Sequence, residues 1–143
     1  MVKKRDQRHD AIRGIVRDHS IRTQRDLADQ LQAMGYDCTQ ATVSRDIMDM
    51  GLVKSREGYY VLPEEMRLRR MVSELVKDVH AASNMVVVKT HSGGAPSVSA
   101  ALDGADLQGV IGTVAGDNTI FLATENVEAA QFVVRAIDRL RRR

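Results

Sequence analysis

The side chains with the clearest chemical capacity lie in residues 39–47, which read Thr-Gln-Ala-Thr-Val-Ser-Arg-Asp-Ile. A helix advances about 100° per residue, so Val43 and Ile47 would share one face of a helix here. Ser44 and Arg45 would lie on the opposite face. A small, polar face with one guanidinium fits a DNA major groove, where its N–H donors can read guanine or bind phosphate. Taken alone, a segment of this kind is more often an ordinary solvated helix than a helix that binds DNA.

A second group of chemically capable side chains lies in the other half of the chain: Asp103, Asp117, His80 and His91. Residues of these types perform acid–base catalysis when they converge on one substrate. No nucleophile elbow, phosphate-binding loop or cluster with metal-ligand spacing accompanies them. The sequence therefore predicts a protein that is not an enzyme and holds no metal. Turnover by the purified protein would favour the enzyme alternative.

Helices are expected to position the side chains of residues 39–47. Apolar residues at helical spacing predict one helix within residues 7–19 and a second that begins at Thr23. Gly35 is expected to end the second helix as a C′ residue, and Thr39 to cap the third. A tight turn between the last two helices is typical of a helix-turn-helix. The predicted buried stripe of the second helix is Leu27, Leu31 and Met34.

A hairpin is predicted directly after the third helix. Two β-prone runs, residues 52–55 and 59–62, flank a turn that contains Gly58. A hairpin in this place is the wing of a winged helix-turn-helix. Lys54 and Arg56 near its tip are either phosphate contacts or ordinary surface charges, and the sequence leaves both open.

Charge and composition narrow the class of nucleic acid. The formal net charge is only +2, because aspartates dilute an N-terminal basic cluster of Lys3, Lys4, Arg5 and Arg8. Such a protein gains little non-specific affinity from counterion release, so tight binding would need several copies on one DNA. Aromatic residues make up 3% of the chain and there is no Trp, which disfavours stacking on single strands or RNA. Duplex DNA is the expected target.

The compartment is expected to be the cytoplasm. Cys38 is the only cysteine, so no intrachain disulfide can form, as suits a reducing environment. No stretch has the length and apolar character of a membrane span, and no signal peptide is evident.

The charged, helix-prone segment 63–70 is the predicted linker between a winged helix-turn-helix domain, residues 1–62, and a second domain, residues 71–143. The second domain is expected to have the order β-β-α-β-β-α, an antiparallel sheet with helices on one face. The whole chain is thus predicted to be α+β.

Residues 72–79 are left open as strand or helix. The other elements are predicted as a strand at 85–88, a loop at 90–96, a short helix ending by Gly104, strands at 110–114 and 119–124 around a turn at 115–118, and a helix at 127–143 with Ala129, Val133, Ala136, Ile137 and Leu140 inward.

Two segments carry a family resemblance. Residues 39–47 resemble the recognition-helix signature of bacterial arginine repressors. Residues 112–120, Gly-Thr-Val-Ala-Gly-Asp-Asn-Thr-Ile, resemble the second signature of that family, which lies in its ligand-binding domain. The two occur in the family's order and the resemblance covers essentially the whole chain.

The resemblance implies a winged helix-turn-helix joined to an oligomerisation domain that forms trimers, two of which stack into a hexamer. It implies that L-arginine is a co-repressor bound between the trimers. The loaded hexamer would bind paired palindromic operators and repress arginine biosynthesis genes, and in some bacteria activate arginine catabolism. An architectural accessory role in site-specific recombination, which the family also fills, is the alternative, and a genome-wide binding map would separate the two.

The same resemblance assigns site residues. Ser44 and Arg45 would contact bases and phosphates, supported by Gln40 and Thr42. A carboxylate such as Asp117 can accept two parallel N–H bonds from a guanidinium, whereas a plain hairpin turn is the alternative role for Gly-Asp-Asn. The residues that the resemblance assigns to arginine binding are Asp103, the backbone near Ala115, Asp117 and Asn118.

Two positions depart from the family pattern. Asn118 stands where the family usually has a second Asp, and Pro96 stands where a ligand-contacting Gln is common. Two weakened contacts of about 1–3 kcal/mol each can lower arginine affinity by an order of magnitude or more. Weak sensing, altered specificity and reliance on a partner paralogue therefore remain alternatives.

Overall fold

A computed structural model of the chain describes residues 4–142, which divide into two units between Met66 and Arg67. Lys3, in the predicted basic cluster, and Arg143, at the end of the predicted last helix, lie outside the described residues. The division falls within residues 63–70, the segment that the sequence assigns to a linker.

The first unit has three helices followed by a two-stranded antiparallel hairpin, as the sequence predicts. In the hairpin, Val53 pairs with Val61 and Lys54 with Tyr60. The elements are α1 (Lys4–Asp18), α2 (Gln24–Ala33), α3 (Gln40–Asp49), β1 (Val53–Lys54) and β2 (Tyr60–Val61).

Local capping explains where α2 and α3 begin and end. The hydroxyls of Thr23 and Thr39 accept the backbone N–H groups of Asp26 and Thr42, at 3.0 and 3.2 Å, which confirms both predicted N-caps. Gly35 has a φ of +92°, and the N–H of Tyr36 reaches back to the carbonyl of Leu31. This Schellman ending confirms Gly35 as the C′ residue.

The core of the first unit joins all three helices to the end of the hairpin. Its side chains come from stripes at helical spacing, because only those positions face the same neighbour. The prediction that Met34 is buried is wrong, because its side chain is 55% exposed. The helix ends at Ala33, so Met34 lies beyond the packed stripe. The fully buried side chains are Ile12, Leu27, Leu31, Val43 and Leu62.

Helix α4 (Pro63–Leu75) includes the predicted linker. Residues 72–79, left open by the sequence, divide between this helix and the strand that starts at Val76. Leu68 and Val72 of α4 belong to the core of the second unit.

The second unit has four antiparallel strands in the order β3-β4-β6-β5 with α5 and α6 on one face, which confirms the predicted α+β class. Side chains alternate along β6, so Ile120 and Leu122 are buried beneath the helices while Phe121 is exposed. The elements are β3 (Val76–Ala82), β4 (Met85–Thr90), α5 (Ala95–Ala105), β5 (Val110–Ala115), β6 (Thr119–Thr124) and α6 (Val127–Arg141).

Both helices of this unit differ in detail from the sequence prediction. Helix α5 begins at Ala95, so Pro96 lies in its first turn, where a proline needs no N–H partner, and not in a loop. It also continues through Gly104 to Ala105. In α6 the most deeply buried alanine is Ala130, whereas the predicted Ala129 is only partly buried. The remaining inward residues of α6 are Val133 and Ile137, both buried as predicted, with Ala136 and Leu140 partly buried.

Candidate nucleic-acid interface and ligand-binding turn

The outward face of α3 carries the residues that the sequence singles out for DNA. Gln40 and Arg45 are exposed and Ser44 is half-buried, and their side chains form no hydrogen bond with another described residue. Thr42 differs, because its hydroxyl lies 3.0 Å from that of Thr39, within the N-cap. The structure therefore leaves three of the four side chains available for a ligand and uses Thr42 to start the helix.

The inward face of α3 contains a carboxylate that sequence reasoning missed. Asp46 is 1% exposed and lies between the buried Val43 and Ile47. Arg8 of α1 donates from Nε to one oxygen of Asp46 and from Nη2 to the other, the latter at 2.9 Å. The Nε2 of His9 lies 2.9 Å from the second oxygen. The available signal was an acidic residue within an apolar stripe, which requires a cationic partner.

The charges in this cluster shift one another's protonation. Burial alone would raise the pKa of Asp46, but hydrogen bonds from Arg8 and His9 outweigh it and the pKa is lowered. The hydrogen bond to Asp46 raises the pKa of Arg8. Burial likewise raises the pKa of the nearby Cys38 thiol, which favours a neutral, core-packing side chain.

The Asp46 cluster should make the first unit acid-sensitive. A lowered folded-state pKa stabilises the unit above the unfolded-state value of about 3.9, and this stabilisation is lost as the pH falls through the folded-state pKa. Asp46→Asn should cost about 1.5–3 kcal/mol at neutral pH and should flatten the acid decline. All three tyrosines (Tyr36, Tyr59 and Tyr60) precede Met66, so tyrosine fluorescence during thermal unfolding reports this unit. An unchanged acid slope in the variant would contradict the assignment.

The hairpin carries two exposed cations, Lys54 and Arg56, in different surroundings. Lys54 ends β1 with its ammonium 5.2 Å from the centre of the Tyr60 ring, so it lies along the strand and not at the tip. Arg22 donates to the carbonyl of Glu57 at 2.7 Å and holds the turn. Arg56 is exposed in that turn and has no ion pair among the described residues.

Several arginines of α1 are neutralised. Arg8 pairs with Asp46, Arg13 with Glu64 and Arg17 with Glu65. The cations of the first unit that remain exposed without an ion pair, within residues 4–66, include Arg25, Arg45 and Arg56. Exposed cations without an ion pair in this range therefore lie on α2, α3 and the hairpin, and also at the start of α1, where Lys4 and Arg5 are exposed.

The candidate ligand-binding turn joins β5 to β6. Gly116 donates to the carbonyl of Thr119 at 2.8 Å and closes the turn. One oxygen of Asp117 accepts from the Gly93 N–H at 3.2 Å and lies 3.4 Å from the Ser92 hydroxyl. The backbone carbonyl of Asp117 accepts from Ala95, so the turn is docked against the start of α5. The carboxylate is exposed, and its other oxygen has no hydrogen bond among the described residues.

The structure does not bring every predicted ligand residue to this turn. Asp103 accepts from the Thr113 hydroxyl at 2.8 Å, close to the other end of α5. It lies eight residues after Ala95, which is about 12 Å along the helix. Ala115 and Asn118 flank Asp117, and the Asn118 amide oxygen accepts from the Thr119 hydroxyl at 3.0 Å. Within one chain, Asp117 and Asp103 thus form separate acidic positions.

His80 is engaged apart from the other members of the acid–base set considered from the sequence. His80 lies 2.7 Å from Asp78, on the exposed side of β3, and not beside Asp103 or Asp117. Hydrogen bonding from His80 lowers the pKa of Asp78. One group among residues 4–142 has metal-like spacing, His9 with Asp46 and Asp49, but Arg8 and His9 already occupy both oxygens of Asp46.

No helix within residues 4–142 combines the length and apolar character needed to cross a bilayer.

Comparison with known proteins covers both units. The family model for "Arginine repressor, DNA binding domain" matches residues 3–68, and the model for "Arginine repressor, C-terminal domain" matches residues 72–140. A protein named Arginine repressor from Halothermothrix orenii is 41% identical over 135 residues, which cover 87% of this chain and 90% of that protein. One of the same name from Heliobacterium modesticaldum is 40% identical over 153 residues, with 99% and 98% covered.

Proposed function

The chain belongs to the arginine repressor family, a family of DNA-binding transcriptional regulators and not of enzymes, and from that premise we propose its specific function. Acting in the cytoplasm as a hexamer with L-arginine as co-repressor, it binds palindromic operators, represses arginine biosynthesis genes and activates arginine catabolism where such operators are present. The single observation that carries the proposal is the capped α3, with Arg45 exposed on its outward face.

Helix α3 reads the operator in the major groove. Arg45 donates its fork of N–H groups to guanine or phosphate, and Ser44 and Gln40 add shorter-range hydrogen bonds. Thr42 supports the interface indirectly, because it holds the first turn of the helix. Since most α1 arginines are already paired, one unit offers only part of its positive charge to phosphate, and tight binding requires several units on one DNA.

The turn at Asp117 binds the cationic part of arginine. Its exposed carboxylate has one oxygen without a hydrogen-bond partner in the described structure, and a guanidinium or ammonium group can donate to it. Asp103 lies too far along α5 to share the same end of a ligand within one chain. An interface that brings copies together can supply both carboxylates, which supports a ligand site between subunits.

The open face of the sheet is the proposed trimer or hexamer surface. Val114 on β5 and Phe121 on β6 form a cross-strand pair and are 65% and 45% exposed. Met85 on β4 and Ile111 on β5 add to the exposed apolar area of these strands. Exposed apolar side chains on neighbouring strands are typical of a protein interface, because burying them from water stabilises the assembly.

The binding of arginine and the binding of DNA are coupled through this assembly. A ligand bound between trimers stabilises the hexamer, which places more DNA-binding units on one molecule. Each additional unit then binds the same DNA at a high effective concentration. The coupling must be reciprocal, so operator DNA should also tighten arginine binding.

Isothermal titration of the purified protein with arginine, lysine, ornithine and citrulline tests the ligand. Arginine should bind tightest, because only it combines a guanidinium with an α-ammonium and an α-carboxylate. An affinity for lysine comparable to that for arginine, or no detectable binding of any of the four, would contradict arginine sensing. Operator affinity measured with and without arginine then tests the linkage directly.

A weak or absent arginine response is the second candidate. The amide oxygen of Asn118 is already engaged by Thr119, and Pro96 in the first turn of α5 has no side-chain donor or acceptor. Both observations reduce the contacts that one arginine can make. An operator affinity that does not change with arginine, together with an isothermal titration that shows no arginine binding, would favour this candidate.

A charged residue on the open sheet face should disrupt the oligomer. We expect Phe121→Asp to convert the hexamer to smaller species, because a carboxylate buried in an apolar interface carries a large desolvation cost. Sedimentation velocity with and without arginine measures the change. Phe132→Asp on α6 is the matched control, since Phe132 is 44% exposed on the helical side. A hexamer that survives Phe121→Asp but not the control would place the interface on the helices instead.

A further inference from the structure

The strongest directional contact on α3 is the cluster around Asp46. Its carboxylate is buried, and every polar partner recorded for it in the described structure comes from α1. Arg8 binds both oxygens as a fork, and His9 adds a third hydrogen bond at 2.9 Å. No step of the proposed DNA or arginine binding uses this carboxylate.

A forked ion pair fixes the orientation of α3 more closely than apolar packing alone. Val43 and Ile47 hold α3 against the core, but apolar contacts are non-directional and tolerate small rotations and shifts. Two parallel N–H bonds from one planar guanidinium fix both a distance and an orientation. Arg45 directly precedes Asp46, so any rotation of α3 that the fork prevents would otherwise displace Arg45.

The same pair also removes an unfavourable charge. An unpaired carboxylate beside Arg45 would repel DNA phosphates and compete for the Arg45 guanidinium. Arg8 neutralises Asp46 within the unit and leaves Arg45 without an ion-pair partner in the described residues. The role of Arg8 is therefore internal, although the residue belongs to the N-terminal basic cluster.

We propose that Asp46, held by Arg8 and His9, is a positioning residue that sets the orientation of α3 for sequence-specific DNA recognition. This inference rests on the proposed DNA-binding function of α3. It separates the residues that read DNA from a buried group that determines how they are presented.

The test compares operator and non-operator duplexes with the full-length chain, at a temperature where tyrosine fluorescence shows each variant to be folded. Asp46→Asn should weaken operator binding at least tenfold and change non-operator binding less than twofold. Arg8→Lys, which keeps the charge but loses the fork, should show the same selective loss. Arg8→Gln should cause the largest loss of operator affinity. The Arg8→Gln/Asp46→Asn double variant should recover part of that affinity, because no unpaired buried charge remains.

Two controls separate positioning from stability. Ile12→Val removes one methyl group from the same core, and Arg13→Gln breaks an α1 ion pair to Glu64 that does not touch α3. Both should keep operator selectivity even when the melting temperature falls. Selectivity that survives Arg8→Lys, or an equal loss for both duplexes, would overturn the positioning role. If Asp46→Asn does not fold, Arg8→Lys alone decides. A wild-type chain without operator preference would instead refute the proposed function.

Discussion

Arg45→Ala is expected to abolish operator-specific binding while the oligomer stays intact. A forked contact from arginine to a base or phosphate contributes about 1–3 kcal/mol of discrimination, and each DNA-binding unit of the assembly loses it. On the proposed palindromic operator at least two units are affected, so the total loss of affinity should be about 1.5 to 4 orders of magnitude. Fluorescence anisotropy with operator duplex at fixed salt measures it.

The controls for Arg45→Ala separate base reading from charge. Arg135→Ala removes an exposed arginine, without an ion pair in the described structure, from the second unit and should leave operator affinity near the wild-type value. Sedimentation velocity should give the same oligomer for both variants, because α3 and α6 lie in different units. Specific retardation of operator DNA by Arg45→Ala would refute the assignment of α3 as the reading helix.

Asp117→Ala is expected to remove the arginine response without unfolding the second unit. A charge-assisted hydrogen bond of this kind contributes about 1.5–3 kcal/mol, so arginine affinity should fall about 10- to 150-fold per site. The turn itself should persist, because its closing hydrogen bond joins the backbones of Gly116 and Thr119. Isothermal titration measures arginine binding, and operator anisotropy with and without arginine measures the response.

Asp117→Asn separates the loop contact from the ligand contact. Its amide oxygen can still accept from the Gly93 N–H, but the negative charge is gone. This variant should keep the turn and lose arginine nearly as fully as Asp117→Ala. Asp106→Asn is the charge-matched control, because asparagine tolerates its φ of +49°. An unchanged arginine response in both Asp117 variants would show that the ligand binds elsewhere.

Elements with local causes were predictable from the sequence. Thr23, Thr39 and Gly35 define the ends of α2 and α3 through hydrogen bonds to residues a few positions away, so their spacing suffices. Strands β4, β5 and β6 of the second unit follow from β-branched runs and a Gly-Asp-Asn turn, whereas the sequence left residues 72–79, where β3 begins, open. Errors occurred at ends, as with Met34 and Pro96, where one residue decides whether a side chain lies inside or beyond a helix.

The candidate sites were predictable as residues but not as arrangements. Ser44 and Arg45 face outward as helical periodicity requires, whereas Thr42 is engaged in the cap. Asp103 and Asp117 were grouped by resemblance, yet one chain places them near opposite ends of α5. Periodicity specifies a face, but it does not specify which distant side chain completes a contact.

The sequence by itself determined the α+β class, the capped helix that carries Arg45 and the family to which the chain belongs, because these depend on patterns within short windows. Only the tertiary structure decided that Arg8 is neutralised by Asp46, 38 positions away. Such a pairing depends on how α1 and α3 pack. A buried carboxylate must meet a cation that folding brings to it.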